Sequence, residues 1–159
     1  MVTQMKALQR DLTSIIGLPI SGVARSIGSA ISIEIGPMVT QTSGGRPHGI
    51  AHLLVIMPHW RITKSELFIA SSDWDKSRID DTISSVFFGN IISASTANGG
   101  WDLNIKTDLQ YSFTISWFGI GWREGERVWT LYLRSTSYPD KLSSWSLNAT
   151  GDLVYQEDS

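Results

Sequence analysis

The chain has 159 residues, 42% hydrophobic and 18% charged, with a formal net charge of −2. That size and composition fit a single globular domain spanning residues 1–159 and exclude a disordered polypeptide. The sequence holds no cysteine, which excludes disulfide frameworks, thiolate metal sites and cysteine nucleophiles.

The first predicted element is an amphipathic helix over residues 5–16, "MKALQRDLTSII", with Met5, Leu8, Leu12, Ile15 and Ile16 on one face. Gly17 and Pro19 stand where such a helix should stop. The period then changes. In "AISIEIG", Ile31, Ile33 and Ile35 alternate with Ser32 and Glu34, the pattern of a half-buried strand. The preceding "ISGVARSI" is read as its hairpin partner across Gly28-Ser29, although its small residues also allow a continued helix.

"TQTSGGRPHG" is predicted to be a loop and "IAHLLVIM" a strand buried on both faces, central in a sheet, with Pro58 marking a bulge or exit. "WRITKSELFIASS" continues as extended chain folded at Lys64-Ser65. Ile79, Ile83, Val86 and Phe87 recur at helical spacing over residues 79–88. Asp73 or Ser77 is placed to cap that helix, Asp80 and Asp81 to lie in its first turn, and Gly89-Asn90 to end it.

The second half reads as β structure. Trp101, Leu103 and Ile105, then Leu109, Tyr111, Phe113, Ile115 and Trp117, form two alternating runs joined near residues 106–108, a hairpin with one apolar face. "FGIGWREGER" is a glycine-rich connection, "VWTLYLRS" a strand, "YPDKLSS" a loop, and "WSLNATGDLVYQ" a last hairpin around residues 149–152. The expected fold class is α+β, predominantly antiparallel β. Six to nine strands would form a curled sheet, sandwich or incomplete barrel with one or two short helices.

Motifs of familiar chemistry are missing or broken. His48 and His52 have the spacing of metal ligands on a helix, but Pro47 and Gly49 place them where a loop enters a strand, so no metal or other cofactor is expected. "DWDKSRIDD" puts Asp73, Asp75, Ser77 and Asp81 at calcium-loop positions, yet Arg78 occupies the glycine position and Ser84 the closing glutamate position. No nucleophile elbow or phosphate-binding loop occurs. The expectation is a protein that is not an enzyme.

The basic residues never cluster, which argues against a nucleic-acid partner. The longest apolar run, "LLVIM", is too short to span a membrane, and the N-terminal stretch lacks the pattern of a secretory signal, so a cytoplasmic location and no membrane partner are expected. Tryptophan and arginine are frequent anchors of protein interfaces. Trp122 with Arg123, Glu124 and Glu126 in the glycine-rich connection are therefore the candidate partner-binding residues, with Asp73 and Asp75 second. The alternative is a small-ligand or carbohydrate-binding, barrel-like protein whose cavity is lined by Trp60, Tyr111 and Trp129.

The chain resembles a set of small uncharacterised bacterial proteins. The resemblance lies in the segment at 17–36, in "HLLVIMPHWRI" at 52–62, in "IASSD" at 69–73 and in "ERVWTLYL" at 126–133. Proteins of this kind are often immunity partners of bacterial toxins. The resemblance implies a non-enzymatic protein-binding module that occludes a toxin domain, and it implies a structural pair between Arg61 and Asp73.

Overall fold

The computed structural model describes residues 2–40, 45–56, 59–116, 126–135 and 141–158. Among them are two α-helices, α1 (Val2–Thr13) and α2 (Lys76–Ile83), and eleven strands. The strands are β1 (Ile20–Arg25), β2 (Ile31–Val39), β3 (His48–Val55), β4 (His59–Lys64), β5 (Leu67–Ser71), β6 (Ile91–Ala97), β7 (Asp102–Thr107), β8 (Tyr111–Ser116), β9 (Arg127–Arg134), β10 (Leu142–Asn148) and β11 (Leu153–Glu157). They make a six-stranded sheet in the order β1-β2-β3-β9-β10-β11 and a five-stranded sheet in the order β5-β4-β8-β7-β6. Every ladder is antiparallel and neither sheet closes into a barrel. The fold class is α+β, as the alternation of apolar residues implied.

Register explains the core. In the six-stranded sheet, Val23, Ile33, Leu53, Leu131 and Trp145 lie in one cross-strand row, and Ile31, Val55, Trp129, Leu147 and Leu153 in the next. Because side chains alternate across a strand, both rows point to one face. They join Trp60, Ile62, Ile105, Phe113 and Ile115 of the five-stranded sheet in one buried cluster, with Leu8 and Leu12 of α1 and Ile79 and Ile83 of α2.

Two tryptophans tie the sheets together. The Trp129 indole on β9 donates to the carbonyl of Gly100, 2.9 Å away in the short turn before β7, and the Trp60 indole on β4 donates to the Ser29 carbonyl between β1 and β2 at 2.6 Å. Trp145 likewise donates to Asp11 of α1. A buried indole N–H must find an acceptor, and each of these is supplied by an element outside the ring's own sheet.

Several expected boundaries shift. Helix α1 covers residues 2–13, and Ile15 and Ile16 lie in the turn that follows. Helix α2 covers 76–83 rather than 79–88, so Asp75 takes the N-cap position without a side-chain cap bond, and Asp80 and Asp81 fall in the second turn. Gly28-Ser29 does join a hairpin. The β4–β5 turn sits at Ser65-Glu66, both with positive φ, one residue beyond the expected fold. The β7–β8 turn falls beyond residue 107 rather than at 106–108, because Lys106 still pairs with Ser112. Strand β6, with only two large apolar residues, went unrecognised, and Leu142 to Ser144 belong to β10 rather than to a loop. Strand β3 is central, as expected, but begins at His48, and only one of its faces is fully buried. Pro58 and Trp117 lie outside the described residues.

Candidate functional site

The second face of the six-stranded sheet is where the unusual chemistry lies. Glu34, His52, Tyr132, Ser144 and Gln156 form one cross-strand row over five strands. Ser32, Leu54, Thr130, Ser146 and Val154 form the next. His48 is four residues from His52 on β3 and so points to the same face.

Glu34 holds both histidines. Its Oε1 lies 2.8 Å from His48 Nδ1 and 2.8 Å from His52 Nδ1, while Oε2 accepts the Gly49 backbone N–H at 2.8 Å. An ionised carboxylate only accepts hydrogen bonds, so each imidazole meets it with an Nδ1–H. The two rings stand edge to face, with centroids 4.6 Å apart, and Tyr132 meets the His52 ring at 5.7 Å. The Glu34 and His52 side chains are only 14% and 13% exposed, that of His48 31%.

The backbone prepares this contact. Between Ile35 and Met38 the register of β2 against β3 shifts by one residue, a bulge at Gly36-Pro37. The bulge brings β2 so close to Gly49 that a β-carbon there would press on the Ile35 carbonyl and lie 2.7 Å from the Ile35 nitrogen. Only glycine fits, and its N–H is then free to reach the Glu34 carboxylate.

Electrostatics follow the geometry. Burial pushes the Glu34 carboxyl up, but the His48 and Gly49 hydrogen bonds and the nearby imidazoles outweigh it, holding the group below its ordinary value. Burial dominates at His52 and lowers it; Glu34 opposes that shift, and His48 and Arg134 add to it. The pair is thus an ionised carboxylate beside a neutral imidazole.

Two cavities meet here. One, of about 300 Å3, is lined by His48, His52, Tyr132 and Arg134 with an apolar wall of Ile50, Leu54 and Leu142. The other, of about 370 Å3, extends toward β1 past Ser32, Glu34, Arg25 and Arg46 and shares His48, His52 and Leu54 with the first. No family model, curated protein or solved structure matches this chain. The reading of the site therefore rests on its geometry.

The arrangement also has the order of a nucleophile, a base and an orienting acid, since His52 Nε2 lies 3.4 Å from Ser32 Oγ. Ser32 sits in mid-strand, however, with β2 paired on both sides, to Ala24 on β1 and Leu54 on β3. The neighbouring backbone N–H groups are committed to those ladders and cannot form the donor pair that an acyl-transfer intermediate requires.

The residues singled out from sequence fall elsewhere. Trp60 and Trp129 are 2% and 0% exposed, Tyr111 is buried against Phe88, and all three fill the core instead of lining an aromatic cavity. Trp122, Arg123 and Glu124 lie outside the described residues. Glu126 is half-buried, its carbonyl accepting the Ala149 N–H, and Asp73 and Asp75 are exposed. Asp73 faces His59 at 3.4 Å and not Arg61, whose guanidinium lies over the Phe68 ring. The expectation that His48 and His52 could not share a geometry is overturned. Both belong to β3, and residues four apart share a strand face as well as a helix face. Glu34 was missed altogether; its position on the polar side of "ISIEI" was the available signal.

Proposed function

We propose that the protein binds a small organic anion in the groove on the outer face of its six-stranded sheet. The observation that carries this reading is the meeting of two cavities at the His48–His52 pair. Both Glu34 oxygens are engaged by N–H donors, so the carboxylate offers little to an organic ligand. Arg134, Arg46 and Tyr132 line the remaining surface, and a cationic lining favours an anionic group. Ile50, Leu54 and Leu142 supply the apolar wall that an organic body needs. The backbone around Ser32 supports binding rather than turnover.

The test is a thermal-shift and calorimetric titration of chelator-treated protein with small carboxylates and phosphate esters. A ligand at about 100 times its Kd should stabilise the protein by about 2.7 kcal/mol. Arg134→Gln and His52→Gln should each weaken that binding. If no member of the set stabilises the protein, or both variants bind as well as wild type, the reading is wrong.

A second reading, a protein-binding module of the toxin-immunity kind, is supported by a different feature. Leu67 and Phe87 are each 72% exposed, and Phe68, Ile92 and Leu109 are also open to solvent. Leu67 and Leu109 flank turns joined by the Ser65 N–H to Gln110 carbonyl bond, an apolar end to the five-stranded sheet. Co-purification with the product of a neighbouring toxin gene, abolished by Phe87→Ser with Leu67→Ser, is the expected result. Complex formation that survives both substitutions would remove this surface from the account.

A further inference from the structure

We propose that Glu34, His48 and His52 form a binding site for a divalent first-row transition ion of the zinc class. The inference goes beyond anion binding and stands whether or not the groove takes an organic ligand.

Two imidazoles and a carboxylate are a donor set suited to zinc, iron, cobalt or nickel, and unlike the all-oxygen sets of calcium or magnesium. Among the described residues, these are the three side chains of their kind whose ligand atoms all lie within 4.8 Å of one another. The two Nδ1–Oε1 separations of 2.8 Å also suit the ion. Ligands about 2.0–2.1 Å from a metal lie about 2.9 Å apart at a right angle and about 3.3 Å apart in a tetrahedron. The two carboxylate–imidazole edges therefore need to widen by only a few tenths of an ångström to admit an ion, and all the ligand atoms already lie within 4.8 Å of one another.

The supporting shell is also in place. Gly49 N–H fixes the second carboxylate oxygen and so sets the plane of Glu34. Ser32 Oγ stands 3.4 Å from His52 Nε2, where it can accept the proton that a metal-bound imidazole carries on its far nitrogen. His48 and His52 border both cavities, which gives the ion a path and leaves coordination positions open to water or to an anion. Each ring gives up Nδ1–H and takes a proton at Nε2, the carboxylate stays ionised, and the two Nδ1 lone pairs go to the metal.

The test uses the full chain, stripped with chelator, and ZnCl2 or CoCl2 alone with no organic anion. Calorimetry should show one ion per chain. His52→Gln and Glu34→Gln should each weaken binding beyond the ~10–100-fold that loss of a merely supporting group costs, while His59→Gln should bind as wild type does. Should a variant fail to fold, the wild-type protein decides through imidazole nitrogen NMR: His48 and His52 should pass from Nδ1–H to Nε2–H as zinc is added. Absence of stoichiometric binding, undiminished binding by Glu34→Gln, or rings that keep Nδ1–H at saturation would each overturn the site. Because no anion is present, these results are independent of whether the groove binds one.

Discussion

Gly49 shows how one residue fixes the chemistry of this surface. Its missing side chain lets the bulged β2 approach β3, and its N–H anchors the carboxylate that holds two imidazoles. Gly49→Ala should therefore do two things at once. Forcing a methyl group against the Ile35 backbone should cost about 1–3 kcal/mol, as overpacking of close-fitted interiors does, read as a lower midpoint in urea unfolding. It should also loosen the Glu34 clamp, so that the amide resonances of Gly49 and of its strand neighbours shift. A variant as stable as wild type would mean that β2 and β3 are farther apart than described. Glu34→Gln, in contrast, removes the charge and turns one acceptor oxygen into an amide donor, so either the Gly49 N–H or the imidazole pair loses its acceptor.

Between elements, the clearest joint is the one that fastens α2 to β1. The Arg25 guanidinium makes two parallel bonds to Asp80, at 2.8 and 2.9 Å, and also caps the β1–β2 turn through the carbonyls of Ser26 and Gly28. The Arg25 hydrogen bond is the largest influence on Asp80 and holds its carboxyl below the ordinary value of 3.8. A group whose pKa is depressed by folding stabilises the fold above its unfolded value and loses that contribution as pH falls through the folded one. Protection of the α2 amides, corrected for intrinsic exchange, should accordingly fall as pH drops from about 5 to the low end of the carboxylate range, and Asp80→Asn should flatten that dependence. Arg25→Lys keeps the charge but not the fork, and should expose α2 at neutral pH. Equal exchange profiles in all three proteins would show that the pair does not fasten the helix.

The same scale explains what the sequence discloses. Alternation in "ISIEI", "YSFTIS" and "VWTLYL" reports which face of each strand is buried, so the hairpins and the fold class are legible. Alternation within one strand carries no information about its neighbour's register. The row from Glu34 through His52 to Tyr132 depends on a bulge at Gly36-Pro37, and no local pattern places a bulge there rather than one residue away. The histidine pair was hidden for a related reason: Pro47 and Gly49 make His48 read as loop, whereas β3 begins at His48 and so brings His48 and His52 to one face. Aromatic residues misled for the opposite reason. Trp60 and Trp129 look like ligand platforms in sequence, but each has an indole N–H bonded to a backbone carbonyl in the elements of the opposite sheet.

For the molecule as a whole, the two sheets divide their labour by face. Inward faces share one apolar core, closed by the indoles of Trp60 and Trp129. Trp60→Phe and Trp129→Phe should each cost about 1–3 kcal/mol for the stranded carbonyl, seen as lower urea midpoints, while leaving anion and zinc titrations at the outer face unchanged. Lost binding in either variant would mean that the core and the outer face are not separate. On the outer face of the six-stranded sheet, the polar cluster is built on Glu34 gripping both imidazoles. Long-range proton–nitrogen NMR of the metal-free protein at neutral pH measures that grip directly. Glu34 holding both rings requires His48 and His52 to appear as Nδ1–H tautomers with protons shifted downfield by a carboxylate and protected from exchange. If either ring carries its proton on Nε2 instead, Glu34 does not hold the pair and the site is not built as described.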